Sequence, residues 1–169
     1  MKIFKNTSIP KNYKNSILAI GNFDGIHIGH KKVLKEAAKK AKKLKKKFGL
    51  LTFEPVPVMF FNKKIINHRI DSEHQKILNL KREKIDFIII QKFNKKFSNL
   101  SYQEFIYKIL HKRIKCKYLY VSKNFKFGKK REGNISKLKK YEKKFSFKTI
   151  ITLPITKKRR TVSSTIIRK

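Results

Sequence analysis

Apolar residues follow two alternating rhythms along this chain. Ile17–Ile20, Phe48–Phe53, Asp86–Ile90, Lys117–Val121 and Phe147–Leu153 contain short, almost unbroken apolar runs, the mark of strands buried on both faces. Between them the period changes. Val33, Leu34, Ala37, Ala38, Ala41 and Leu44 recur at helical spacing and predict a helix from about His30 to Lys47. Asp71 or Ser72 caps a second helix running to about Lys84, with Ile77, Leu78 and Leu80 inward. Ser101-Tyr102-Gln103-Glu104 is a capping box that opens a third helix carrying Phe105, Ile106, Ile109 and Leu110. A fourth runs from Asn134 to about Lys144. Pro55, Pro57 and the pair Phe60-Phe61 read as a loop, too rich in proline for a central strand.

Strands alternating with helices predict an α/β fold with a mainly parallel, five-stranded sheet in a three-layer α/β/α sandwich. In such sheets ligands bind beyond the carboxyl ends of the strands. Four segments then share one rim: Gly21–His30, Glu54–Phe61, Ser122–Gly133 and the tail after Leu153. No internal repeat or low-complexity linker interrupts the pattern.

Composition sets the class. The 169 residues, 40% of them hydrophobic, suit one domain with a real core. The single cysteine, Cys116, has no internal partner and fits a reducing compartment. Residues Met1 to Pro10 lack the apolar core of a signal peptide, and no run reaches the ~18 apolar residues needed to cross a membrane. The expectation is a cytoplasmic protein without a membrane partner. The net charge of +36, from 46 basic and 10 acidic residues, suggests a polyanion partner. Its lysines, however, lie along nearly every polar segment rather than on one stripe. Joint over-use of Lys, Ile, Asn and Phe fits compositional drift with solvated faces. No specific nucleic acid is expected, although nonspecific RNA binding at low salt is.

The chemistry concentrates in Gly21-Asn22-Phe23-Asp24-Gly25-Ile26-His27-Ile28-Gly29-His30. It holds three of the six glycines, two of the five histidines and one of three aspartates. A strand, a glycine-rich turn and a helix that opens on histidines can hold phosphate, because glycines admit oxygens to the backbone N–H groups and the helix start leaves N–H donors unpaired. A pair of helix-start histidines with no chemical role is the other reading of His27 and His30. The segment is neither the dinucleotide fingerprint G-x-G-x-x-G nor a P-loop. Ser163-Ser164-Thr165 reads as an ordinary N-cap or as a second phosphate-binding helix start, with Arg168 one turn further.

Gly21–His30 resembles the signature of the nucleotidyltransferase superfamily, a phenylalanine-aspartate turn followed by His-x-Gly-His. In the form Asn-Phe-Asp-Gly-Ile-His-Ile-Gly-His it is similar to the adenylyltransferase domain of bacterial FAD synthetases. Thr52–Pro57, Asn124–Gly128 and Val162–Arg168 match further segments of that family in the same order, so the resemblance spans about Ile17 to Arg168. It implies a Rossmann-like nucleotidyltransferase fold and the reaction ATP + FMN → FAD + pyrophosphate with Mg²⁺. His27, His30 and Arg168 would then be catalytic. Gly21, Asn22, Phe23, Asp24, Gly25, His27, His30, Ser163, Ser164, Thr165 and Arg168 would bind ATP. Pro55, Pro57, Phe61, Asn124 and Phe127 would bind FMN, though a proline turn and core phenylalanines are their bland alternative. The resemblance assigns no metal ligands.

The chain departs from that family in places. Val56 stands where histidine is usual, Ser122 where glycine is common, and Lys126 where arginine is, losing a bidentate fork. Family members usually continue into a riboflavin kinase β-barrel. The expectation is that residues 1–169 form one adenylyltransferase domain without that kinase, either a fragment of a longer protein or a stand-alone monomer using FMN made by a separate riboflavin kinase, and that this polypeptide does not phosphorylate riboflavin. The rival enzyme is a nucleotidyltransferase of the same superfamily with another phosphate acceptor. The rival of another class is a basic RNA-binding module, although Asn124–Lys130 does not match the RRM pattern.

Overall fold

A computed structural model describes residues 1–62, 64 and 70–153, and the backbone of 156–157 and 160–161. Its sheet has six strands: β1 (Lys2–Phe4), β2 (Ile17–Ile20), β3 (Phe48–Glu54), β4 (Phe87–Lys92), β5 (Tyr118–Ser122) and β6 (Lys148–Thr152). The order is β1-β4-β3-β2-β5-β6, and every pairing is parallel. The expected five strands are all present; β1 is the sixth. Its three residues at a sheet edge, one of them lysine, are too few to show a period. A two-stranded antiparallel ribbon, β7 (Thr156–Lys157) with β8 (Arg160–Thr161), follows.

Period-two alternation within apolar strands feeds two cores. Ile17, Ala19, Leu50, Ile88 and Ile90 pack under α1 (Ile28–Leu44) and α3 (Glu73–Lys81). Leu18, Ile20, Leu51, Ile89 and Leu119 pack beneath Phe105, Ile106, Ile109, Leu110 and Leu138. Those five come from a helix that begins as one α-turn, α5 (Tyr102–Glu104), continues with π geometry over Phe105–Ile114, and from α6 (Ile135–Phe145). Both halves of the Ser101–Glu104 capping box form, at 3.1 and 3.0 Å. Cys116 is buried, and burial pushes its thiol up to about 12.

The differences from the predicted elements have local causes. The first helix stops at Leu44, not Lys47, because Lys45 turns into the left-handed region (φ 50°) and caps Ala41 and Lys42. No glycine marks that stop. α3 ends at Lys81 rather than Lys84 and turns Leu78 outward (37% exposed), while Lys76 takes an inner position. The expected proline loop winds into a short helix, α2 (Pro57–Phe61), because Pro57 fits the first helical turn. Glu54–Pro55 is cis. Another short helix, α4 (Lys95–Ser98), follows β4.

The chain runs β2, β3, β4 toward one edge and then returns to place β5 on the other side of β2. The order therefore reverses between β2 and β5, and a crevice opens beyond their carboxyl ends. Gly21 and Ser122 lie at its floor.

Candidate active site

The turn after β2 is fixed from several sides. Gly25 has φ 59°, and a Cβ there would come within 2.6 Å of Ile70. Phe23, buried, also has positive φ (47°). The Asp24 carboxylate accepts the backbone N–H groups of Ile70 and Asp71 at 3.0 Å. Asp71 returns the contact by accepting the Gly25 N–H at 3.2 Å. Asp24 thus ties the turn to the segment before α3. The α3 cap is Ser72, which accepts the Gln75 N–H at 3.1 Å.

His27 is the N-cap of α1, and its Nδ1 accepts the His30 N–H at 3.4 Å. In the neutral ring the proton then sits on Nε2, leaving that atom a donor. The two imidazoles stack with centroids 3.7 Å apart, and Phe23 lies 5.1 Å from His30. Burial holds His27 below its ordinary value. His30 is lowered to about 3, chiefly by burial, then by His27 and Lys76, with Asp24 opposing. Both rings are therefore neutral hydrogen-bonding groups at pH 7 rather than cations.

This has a consequence for stability. His30 takes up its proton near 6.5 when unfolded but only near 3 when folded. The unfolded state thus binds more protons between those values, so stability rises with pH across that window and is complete above it. The urea midpoint is expected to fall from pH 7 to pH 4.5 by more in the native protein than in His30→Gln. Parallel curves for the two would remove His30 as the cause.

Beside the turn lies an open cavity of about 860 Å³, in the range of small-molecule sites. Gly21 and Asn22 border it on one side, Pro57 and Phe61 on a second, and Asn124 and Phe127 on a third. Three of the four predicted rim segments thus meet there. Phe61 is 68% exposed at the mouth, whereas Phe127 is buried against Phe105 (5.1 Å) and Phe125 (5.4 Å). Pro55 does not border the cavity, and neither do Phe23, Asp24, Gly25, His27 or His30, which continue the turn beyond Asn22. Ser163, Ser164, Thr165 and Arg168 lie outside the described residues. Val56 is buried at the start of α2, so apolar packing fills its position; Ser122 and Lys126 line the cavity.

Sequence reasoning missed the fourth wall. Phe93 and Phe97, with Ser98 to Leu100, follow β4 and border the cavity. Phe93 packs edge-on against Phe60, Phe61 and Phe53 at 5.3–5.8 Å. The signal was available: an aromatic pair four residues apart just past the carboxyl end of a strand. Lys126, Lys129, Lys130 and Arg131 form a basic side of the same cavity, where Lys130 and Arg131 take positive φ. Among the described residues no three His, Cys, Asp or Glu side chains converge as a metal site, and no helix is long and apolar enough to cross a membrane.

A model of the FAD synthetase family matches residues 9–166. The chain is 40% identical over 171 residues to the bifunctional riboflavin kinase/FMN adenylyltransferase of Buchnera aphidicola subsp. Schizaphis graminum, covering all of this chain and 55% of that protein. It is 30% identical over 153 residues to the Escherichia coli K12 protein of the same description, covering 90% and 49%. The chain thus spans about half the length of these curated relatives. A solved structure, described as a macrolide-efflux protein from Streptococcus pneumoniae, superposes with a TM-score of 0.82 at 26% identity, over 99% of this chain and 55% of that one.

Proposed function

The chain belongs to the FAD synthetase family, and from that premise we propose that residues 9–166 transfer AMP from ATP to FMN, giving FAD and pyrophosphate. One observation carries the reading: a histidine-bearing phosphate turn and an aromatic-walled cavity of flavin-accommodating size share Gly21 and Asn22. ATP occupies the turn at the start of α1, and the isoalloxazine ring occupies the cavity among Pro57, Phe61, Asn124 and Phe127. Pro55 acts only by shaping the entry to α2. The tail residues Ser163, Ser164, Thr165 and Arg168 complete the phosphate site in this proposal on the strength of the motif alone.

An FMN phosphate oxygen attacks the α-phosphorus in line. The new P–O bond forms as the bond to the β-phosphate oxygen breaks, and pyrophosphate leaves with that electron pair. The nucleophile is already an anion, so no general base is required. What the protein supplies is position and hydrogen-bond donors where charge builds. Neutral His27 offers Nε2–H, and the opening N–H groups of α1, which His27 caps, are further donors at the same turn. Mg²⁺ entering with ATP would supply charge neutralisation at the triphosphate.

Incubating the chain with Mg-ATP and FMN and separating flavins by chromatography is expected to yield FAD. Phosphopantetheine or CTP consumed in preference would replace FMN or ATP in the proposal. Phe61→Ala, at an exposed position, is expected to raise KM for FMN about 3- to 10-fold, the worth of one aromatic contact, with KM for ATP unchanged. Equal effects on both substrates would move the flavin away from α2.

A further inference from the structure

Beneath the phosphate turn lies a lysine that the reaction as described does not use. Lys76 is only 8% exposed, on the inner face of α3 one turn before the buried Leu80. Its Nζ donates to the Thr52 hydroxyl at 2.6 Å, and that hydroxyl donates to the Asn22 carbonyl at 3.0 Å. Thr52 is the polar residue in the run Leu50-Leu51-Thr52-Phe53 and is itself buried. The bond to Thr52 ties this buried side chain to the turn.

The direction of the chain of bonds is fixed by chemistry. An ammonium group has donors and no acceptor, so the Thr52 oxygen must accept from Lys76 and its one hydrogen goes to Asn22. A trans peptide is planar, with its C=O and N–H on opposite sides. Pulling the Asn22 carbonyl inward therefore turns the Phe23 N–H outward, on the side away from Thr52. The positive φ of Phe23 (47°) fits a backbone held in one orientation.

We propose that Lys76 is a positioning residue of the nucleotide site, holding the Asn22–Phe23 peptide through Thr52 so that the Phe23 N–H faces the triphosphate. The proposal rests on the adenylyl-transfer reading for what the N–H meets. Charged groups around Lys76 are Glu54 at the end of β3 and Glu73 one turn earlier on α3, which pairs with Lys5 at 2.6 Å. His30 and Asp24 of the turn also interact electrostatically in this neighbourhood.

The test uses Lys76→Met, Thr52→Val and the double variant. Affinity is measured for Mg²⁺ with α,β-methylene-ATP and separately for FMN, and the Phe23 amide is followed by NMR in ligand-free protein. Each single variant is expected to weaken the nucleotide analogue about tenfold, and the double variant no more than the worse single, because both cut one relay. FMN affinity stays constant, and the Phe23 amide shifts alike in both. Thr52→Val alone decides the matter if Lys76→Met does not fold. Unchanged nucleotide affinity, additive losses, or an equal loss for FMN would overturn the relay. If the native chain binds the analogue but makes no FAD, the acceptor assignment falls and the relay stands. If it does not bind the analogue, the nucleotide reading falls, and an unmoved Phe23 amide takes the relay with it.

Discussion

His30→Ala is expected to lower kcat/KM for FAD formation by about 10²- to 10³-fold, the usual loss when one preorganised donor to a developing charge is removed. His27→Ala should lose a similar factor and also stability. His27 caps α1 through Nδ1, and a lost cap costs about 1 kcal/mol. His27→Asn separates the two roles, since asparagine caps well but does not reach as the imidazole Nε2–H does. Its melting temperature should return to normal while activity does not. His74→Ala, exposed on α3, should change neither quantity. Because His30 stays neutral down to about pH 3, activity should not fall as pH rises from 6 to 8. It should instead rise through about pH 6, where a phosphate monoester loses its second proton, and then stay level. A decline over that range would mean that an imidazolium, not a neutral ring, does the work.

The architecture was readable from the alternation of apolar runs and helical stretches because parallel strands buried on both faces leave an unusually plain pattern. What escaped were short elements. β1 has three residues, and α2 and α4 each span about one turn, so tertiary packing rather than local period holds them. Helix ends were misplaced where Lys45, a residue with no turn preference, adopts the left-handed cap usually given to glycine. Three of the rim segments were legible because a parallel sheet puts its loops on one end. Phe93 and Phe97 obey the same rule, since they follow the carboxyl end of β4. Lys76 was invisible for a deeper reason. Nothing in the sequence distinguishes one lysine among so many; only the burial of α3's inner face and the polar Thr52 facing it do.

Gly49→Ala should destabilise the fold by about 2–3 kcal/mol, the upper part of the range for overpacking a core, and lower the melting temperature by roughly 5–10 °C. Gly49 sits directly opposite Phe87 on β4, whose ring lies across the glycine. An added Cβ would stand 2.1–2.5 Å from three ring carbons. The ring has nowhere to go, since it is fully buried with Tyr13 edge-on at 5.3 Å and Phe4 at 6.1 Å. Adding Phe87→Leu should relieve the clash, leaving the double variant at least about 1 kcal/mol more stable than the sum of the singles. Additive losses would mean that the ring is not the obstacle. The same variant also separates fold from chemistry. Gly49 lies five residues before the end of β3, about 16 Å from the rim at the usual rise per residue. Below its melting range Gly49→Ala should therefore keep both Michaelis constants, because the reacting groups gather only at the carboxyl ends of the strands. A changed KM in the folded variant would extend the site into the sheet itself.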